Sequence, residues 1–74
     1  MNAAISEIQV EVNGAARSFA APVTLQGLLH ELGLVERRGI AVAVNDSVVP
    51  RSQWPLRSLE AGERILVIQA TQGG

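Results

Sequence analysis

Seventy-four residues, 47% of them hydrophobic but including only one Trp, one Phe and no Tyr, are enough for one domain with a core of Val, Ile, Leu and Ala, and such a chain buries only about 60% of its unfolded surface. A cleft lined on several sides is hard to build at this size, whereas a surface read by another protein is easy. The formal charge of −1 without a run of like charge argues against a nucleic-acid surface, and one His with no Cys provides neither a disulfide, a thiolate nucleophile nor a metal site.

Ile8, Val10 and Val12 alternate with Gln9 and Glu11, the period of a strand with one buried face. Asn13-Gly14 is a strong two-residue hairpin signal, because both residues tolerate positive φ. A second strand through Arg17-Ser18-Phe19 pairs back on the first, and Pro22 marks its end.

Thr24 is a suitable helix N-cap, and Leu25, Leu28, Leu29 and Leu32 follow on one helical face. Gly33 is the expected stop. Gly27 costs such a helix up to about 1 kcal/mol relative to Ala, so packing of the Leu stripe on the sheet has to hold it. His30 points off the stripe and reads as a solvated residue, since no second titratable group is spaced to work with it.

Glu36-Arg37-Arg38-Gly39 is a polar connection leading into the strand Ile40–Val44, and Asn45-Asp46-Ser47 is the next turn. Val48-Val49-Pro50 reads as a short edge strand, followed from Arg51 to Leu59 by an irregular crossover in which Trp54 covers one end of the core. Arg37, Arg38 and Arg51 are a candidate phosphate-binding set, but without a Gly-rich loop they are expected to be solvated charges. After the Ala61-Gly62-Glu63 turn, the four consecutive apolar residues in Arg64–Gln69 suit a strand covered on both faces. Beyond Ala70, the segment Thr71-Gln72-Gly73-Gly74 has nothing to bury and is expected to be a mobile tail, so residues 1–70 form a single domain and 71–74 its appendage.

A hairpin, one packed helix, further strands and a Gly-Gly end resemble the β-grasp (ubiquitin-like) fold, an α+β class with a mixed sheet of four to five strands on one main helix. Asn45 through Val49-Pro50-Arg51 to Trp54, taken with Gly73-Gly74, resembles the ThiS-type sulfur carriers of thiamine biosynthesis. A departure from the pattern of a capping box is Gly27, which stands where Glu would complete it after Thr24.

The resemblance implies a protein co-substrate with no catalytic side chain of its own. An ionised α-carboxylate is a poor electrophile. By this analogy a ThiF-like adenylyltransferase, using ATP and Mg²⁺, attaches AMP to the carboxylate of Gly74, and a sulfur donor protein displaces AMP to leave a thiocarboxylate. A ThiG-like thiazole synthase then receives the sulfur. Thr71, Gln72 and Gly73 are the passage that enters the partner's channel, Gly73 because it lacks a Cβ. No cofactor is bound permanently and no metal is held. The small subunit of molybdopterin synthase, or a ubiquitin-like modifier, begins with the same adenylate and stays open as an alternative at this level. No basic leader and no stretch of about 18 apolar residues is present, so the expected location is the cytoplasm, away from membranes.

Two further expectations concern the surface. Alternation along the last strand puts Leu66 and Ile68 on the face away from the helix, joined there by Ala41 and Ala43, as a flat apolar patch for partner docking. All six basic residues are arginine, so the chain has no lysine amine that its activated C-terminus could acylate.

Overall fold

Asn13 and Gly14 reverse the chain at φ of 51° and 85°, the left-handed pair that a two-residue hairpin needs to match the twist of its strands. They join β1 (Glu7–Val12) to β2 (Ala15–Ala20), in the register Val12↔Ala15 to Glu7↔Ala20. Opposed residues share a face, so Val10, Val12 and Phe19 are buried together while Glu7, Gln9 and Glu11 point to solvent. The computed structural model describes residues 6–69; the expectations for Thr71, Gln72, Gly73 and Gly74 lie outside them.

The helix α1 spans Leu25–Glu31, and Thr24 caps it by accepting the Gly27 N–H at 3.1 Å. Leu25, Leu28 and Leu29 are fully buried, and the helix ends at Gly33, which takes φ of 74°. Gly27 has a packing reason: a Cβ there would sit 3.3 Å from a methyl of Val23, in the turn that delivers the chain to the helix. The start of α1 is also tied to a distant segment, since Leu25 N–H donates to Arg57 O at 2.8 Å and Leu59 N–H to Val23 O at 3.0 Å.

Three strands complete the sheet: β3 (Ile40–Val44), β4 (Ser47–Val48) and β5 (Arg64–Gln69). Its order is β2-β1-β5-β3-β4, with β1 and β5 parallel and the other pairs antiparallel. This five-stranded mixed sheet on one main helix is the β-grasp arrangement. The edge strand is shorter than Val48-Val49-Pro50 suggested, because Asn45 and Asp46 form the turn at φ of 51° and 72° and Ser47 already pairs with Val44.

Two expectations need correction. The segment after Pro50 is regular, a 3₁₀ helix over Arg51–Leu56 packed against α1, and Trp54 within it is a core residue at 2% exposure, its indole N–H donating to Val49 O at 2.9 Å. The strand β5 is covered on one face only. Ile65 is buried and Val67 half-buried against the helix side, but Leu66 and Ile68 are 49% and 53% exposed. A chain this short has one helix to lay on the sheet, and among the described residues no second layer reaches the other face.

Glu63, just ahead of β5, joins three segments through one carboxylate. It accepts Arg57 Nη2 at 2.8 Å, Asn45 Nδ2 at 3.4 Å and the Glu60 backbone N–H at 2.8 Å. Burial acts to raise its pKa, but the Arg57 and Glu60 hydrogen bonds, the Arg57 charge and the Asn45 amide together outweigh burial and hold it below the ordinary value. A carboxyl with a lowered folded-state pKa binds fewer protons in the native state than in the unfolded chain. Its contribution to stability is therefore complete above the ordinary value of 4.5 and is lost as pH falls through the lowered one. Replacing Glu63 by Gln should lower the unfolding midpoint in denaturant at pH 7 and flatten the acid side of the stability curve, measured by urea melts from neutral to acid pH; an unchanged acid limb would remove Glu63 from that role.

Candidate functional site

The strand β5 lies at the centre of the sheet and leads to the C-terminal end of the chain, so whatever fixes β5 fixes the base of that segment. On one side, β3 pairs with its full length, from Val44↔Ile65 to Ile40↔Gln69. On the other side the parallel ladder with β1 is short, covering Glu11↔Arg64 and Val12↔Ile65 before the hairpin turns away. Asn13 continues it. Its backbone N–H donates to Ile65 O at 2.9 Å, and its side-chain amide accepts the Val67 N–H at 2.8 Å and donates to Val67 O at 3.3 Å. The amide thus substitutes for a missing strand residue. Asn45 does the same at the start of β5, its side-chain oxygen accepting the Arg64 N–H at 2.9 Å while its own N–H donates to Arg64 O at 2.8 Å.

With β5 held in this way, the expected outer face is assembled as alternation requires. Leu66 stands opposite Ala43 and Ile68 opposite Ala41. Ala41 is exposed and Ala43 half-buried beneath its larger neighbours. The structure adds Val48, 73% exposed and paired with Ala43, so that Val48, Ala43 and Leu66 form one row across three strands. The sequence signal for Val48 is the same alternation carried through the Asn45-Asp46 turn. The rest of the face differs in character: Glu7, Gln9 and Glu11 of β1 lie beside Ala16, Ser18 and Ala20 of β2, a flat and acidic half next to the apolar one.

At the end of β5, Gln69 pairs with Ile40 and its side-chain oxygen accepts Arg37 Nη1 at 3.3 Å. Arg51 is exposed, as expected from sequence, but it is not free. Its two terminal nitrogens donate to Val35 O and Arg37 O at 2.9 Å each, and its guanidinium lies 4.5 Å from the Trp54 ring centroid. These contacts commit one donor on each terminal nitrogen to fastening the 34–39 connection. Arg38 and His30 are exposed. Among the described residues no three metal-ligating side chains come together and no helix is long and apolar enough to cross a membrane. The most distinctive feature of the described surface is the apolar face of Leu66, Ile68 and Val48.

Residues 10–74 match the family model described as the ThiS family. Over 67 residues the chain is 36% identical to the sulfur carrier protein ThiS of Escherichia coli (strain K12), a match that covers 90% of this chain and all of that one. It is 33% identical over 67 residues to a thiazole synthase of Paramagnetospirillum magneticum, where the match takes 90% of this chain but 20% of the longer protein. The crystal structure of the thiamine biosynthesis protein ThiS from Geobacter metallireducens superposes with a TM-score of 0.77 at 20% identity, covering 90% of this chain and all of that chain. At that identity the likeness bears on the fold alone, and the fold agrees.

The Asn13 amide separates two roles that a hairpin asparagine can hold. Asn13→Gly keeps the positive φ at no steric cost but leaves the Val67 N–H and carbonyl without their partner. Unfolding free energy should fall by about 1–2 kcal/mol, with amide hydrogen exchange at Val67 accelerated more than at Val42 on the intact β3 side. Equal protection at both sites would mean that the turn alone matters.

Proposed function

Because the chain belongs to the ThiS family, the sulfur carrier proteins of thiamine biosynthesis, we propose that its working group is the C-terminal carboxylate of Gly74. The family match runs through Gly73 and Gly74 and takes in the full length of the Escherichia coli carrier, which supports reading these residues as its working end. A carboxylate with a pKa near 3.5 is ionised at neutral pH and resists nucleophiles. Transfer of AMP from ATP, with Mg²⁺ offsetting the phosphate charge, converts it to a mixed anhydride whose leaving group is AMP. A sulfur nucleophile then attacks the acyl carbon, AMP departs, and the C-terminus becomes a thiocarboxylate.

The observation that carries this reading is the union, on the one strand β5, of the bare apolar face and the approach to Gly74. Leu66 and Ile68 with Ala41, Ala43 and Val48 offer an adenylyltransferase a flat surface to grip, and Gln69 stands at the end of the same strand. Thr71, Gln72 and Gly73 then act as a narrow lead into the partner's site, Gly73 having no side chain to obstruct it. The thiazole synthase of Paramagnetospirillum magneticum carries a stretch similar to this chain within its own length, which supports a thiazole synthase as the enzyme that accepts the sulfur. The fold is the handle and the partners supply the catalysis.

Two outcomes are expected when the full chain is incubated with ATP, Mg²⁺, an adenylating enzyme and a sulfur donor. Intact mass should show one oxygen replaced by sulfur, and a single residue appended after Gly74 should abolish that exchange while moving stability by less than about 0.5 kcal/mol. Gly73→Val, which keeps the carboxylate but adds a branched Cβ, should slow loading sharply. If both variants take up sulfur at the normal rate, Gly74 is not the loaded group. Leu66→Glu should prevent adenylation while cooperative unfolding is retained, because Leu66 is half-exposed; loss of the unfolding transition would reassign Leu66 to the core.

A further inference from the structure

The approach to the C-terminus is bordered by arginines that differ in what their geometry demands. Arg51 donates two diverging N–H groups to Val35 O and Arg37 O, and presents its flat cation to Trp54. Only a guanidinium does all three. Arg37 makes a single bond, from Nη1 to Gln69 Oε1 at 3.3 Å, which a lysine ammonium would make as well. Arg38, next in the chain, is exposed and donates no side-chain hydrogen bond to the described residues. Contacts therefore account for arginine at position 51 and leave it unaccounted for at 37 and 38.

The remaining difference between the two cations is chemical. A guanidinium stays protonated and has no free lone pair at neutral pH, whereas a lysine of pKa near 10.4 is present as free amine at about four parts in ten thousand at about pH 7. An acyl adenylate is an acceptor for that amine: the nitrogen attacks the carbonyl carbon, the bond to the phosphate oxygen breaks, AMP leaves with the electron pair, and the amine proton passes to solvent. The product is an internal amide. The five residues after Gln69 have a contour length of roughly 17 Å, ample to return the Gly74 carbonyl to the side chain at position 37.

We propose that Arg37, with Arg38, is a specificity-determining residue of the carrier: it keeps the exit of β5 cationic and non-nucleophilic, so that the activated carboxyl of Gly74 passes to an external sulfur nucleophile and not to an amine of its own chain. This rests on the reading of Gly74 as the adenylated group. The adenylate is the vulnerable state, because the thiocarboxylate anion that replaces it is a poor acyl donor. All six basic residues of the chain being arginine accords with the same protection.

The test uses Arg37→Lys and Arg38→Lys, with Arg37→Gln as a variant lacking both charge and amine. Each full chain is incubated with ATP, Mg²⁺ and the adenylating enzyme, first without and then with the sulfur donor. Without donor, Arg37→Lys should accumulate a species lighter by one water, with the cross-link mapped by proteolysis to positions 37 and 74, about tenfold or more faster than any such product from the unsubstituted chain. Its rate should climb between about pH 7 and 9 as the amine deprotonates. Arg37→Gln should form none. If Arg37→Lys loses cooperative unfolding, Arg38→Lys carries the same comparison. The proposal is overturned if the lysine variants keep their original mass without donor and load sulfur normally with it. An unsubstituted chain that takes up no sulfur overturns the carrier reading, and this inference with it.

Discussion

The strand β5 has hydrogen-bonded neighbours on both sides and a packed layer on only one face, and most of what the molecule can do is governed by that asymmetry. Its inward side chains, Ile65 and Val67, meet the Leu25, Leu28 and Leu29 stripe of the single helix. Its outward side chains, Leu66 and Ile68, have cross-strand neighbours but no packed layer over them among the described residues. Among the described residues no second helix lies on the other face, so closing the core on one side leaves an apolar surface on the other. In a larger protein Leu66 and Ile68 would be core; here the same residues are available to a partner.

Central placement also gives β5 rigidity that a terminal strand at a sheet edge would lack. The parallel partner β1 pairs β5 only at Arg64 and Ile65, and Asn13 extends that side through its side-chain amide at Val67, while Asn45 extends the β3 side to Arg64. Both hold positive φ, so each satisfies a turn and a ladder at once. At the far end the connection before β3 is fastened by Arg51 to the 3₁₀ helix over Trp54, and Arg37 reaches from that connection to Gln69. These bonds hold β5 in place along both sides of its described length.

On the proposed reading, activation, sulfur donation and acceptance belong to partners, and this chain presents one carboxyl and adds no competing side-chain reactivity. His30 is exposed, the chain has no Cys, and its six basic residues are all arginine. A minimal side-chain repertoire is compatible with the proposed task, in which the reacting group is the main-chain carboxylate of Gly74.

The local features were legible in the residues alone, since they depend on neighbours in the chain. Asn13-Gly14 specified the hairpin, Thr24 and Gly33 bounded the helix, the Leu spacing identified its buried face, and alternation put Leu66, Ile68, Ala41 and Ala43 together on the outer face. What only the tertiary structure decided were the relations between distant segments. Four apolar residues in succession fit a strand buried on two sides as well as one buried on one, and the number of layers that settles the matter is a property of the whole chain. The regular 3₁₀ helix after Pro50, the Arg51 bonds to carbonyls 14 and 16 residues away, and the Asn13 amide bonded to a strand 54 residues on all depend on which parts of the chain meet in space. Periodicity and turn chemistry report on the next few residues; hydrogen bonds between segments far apart leave no period to read.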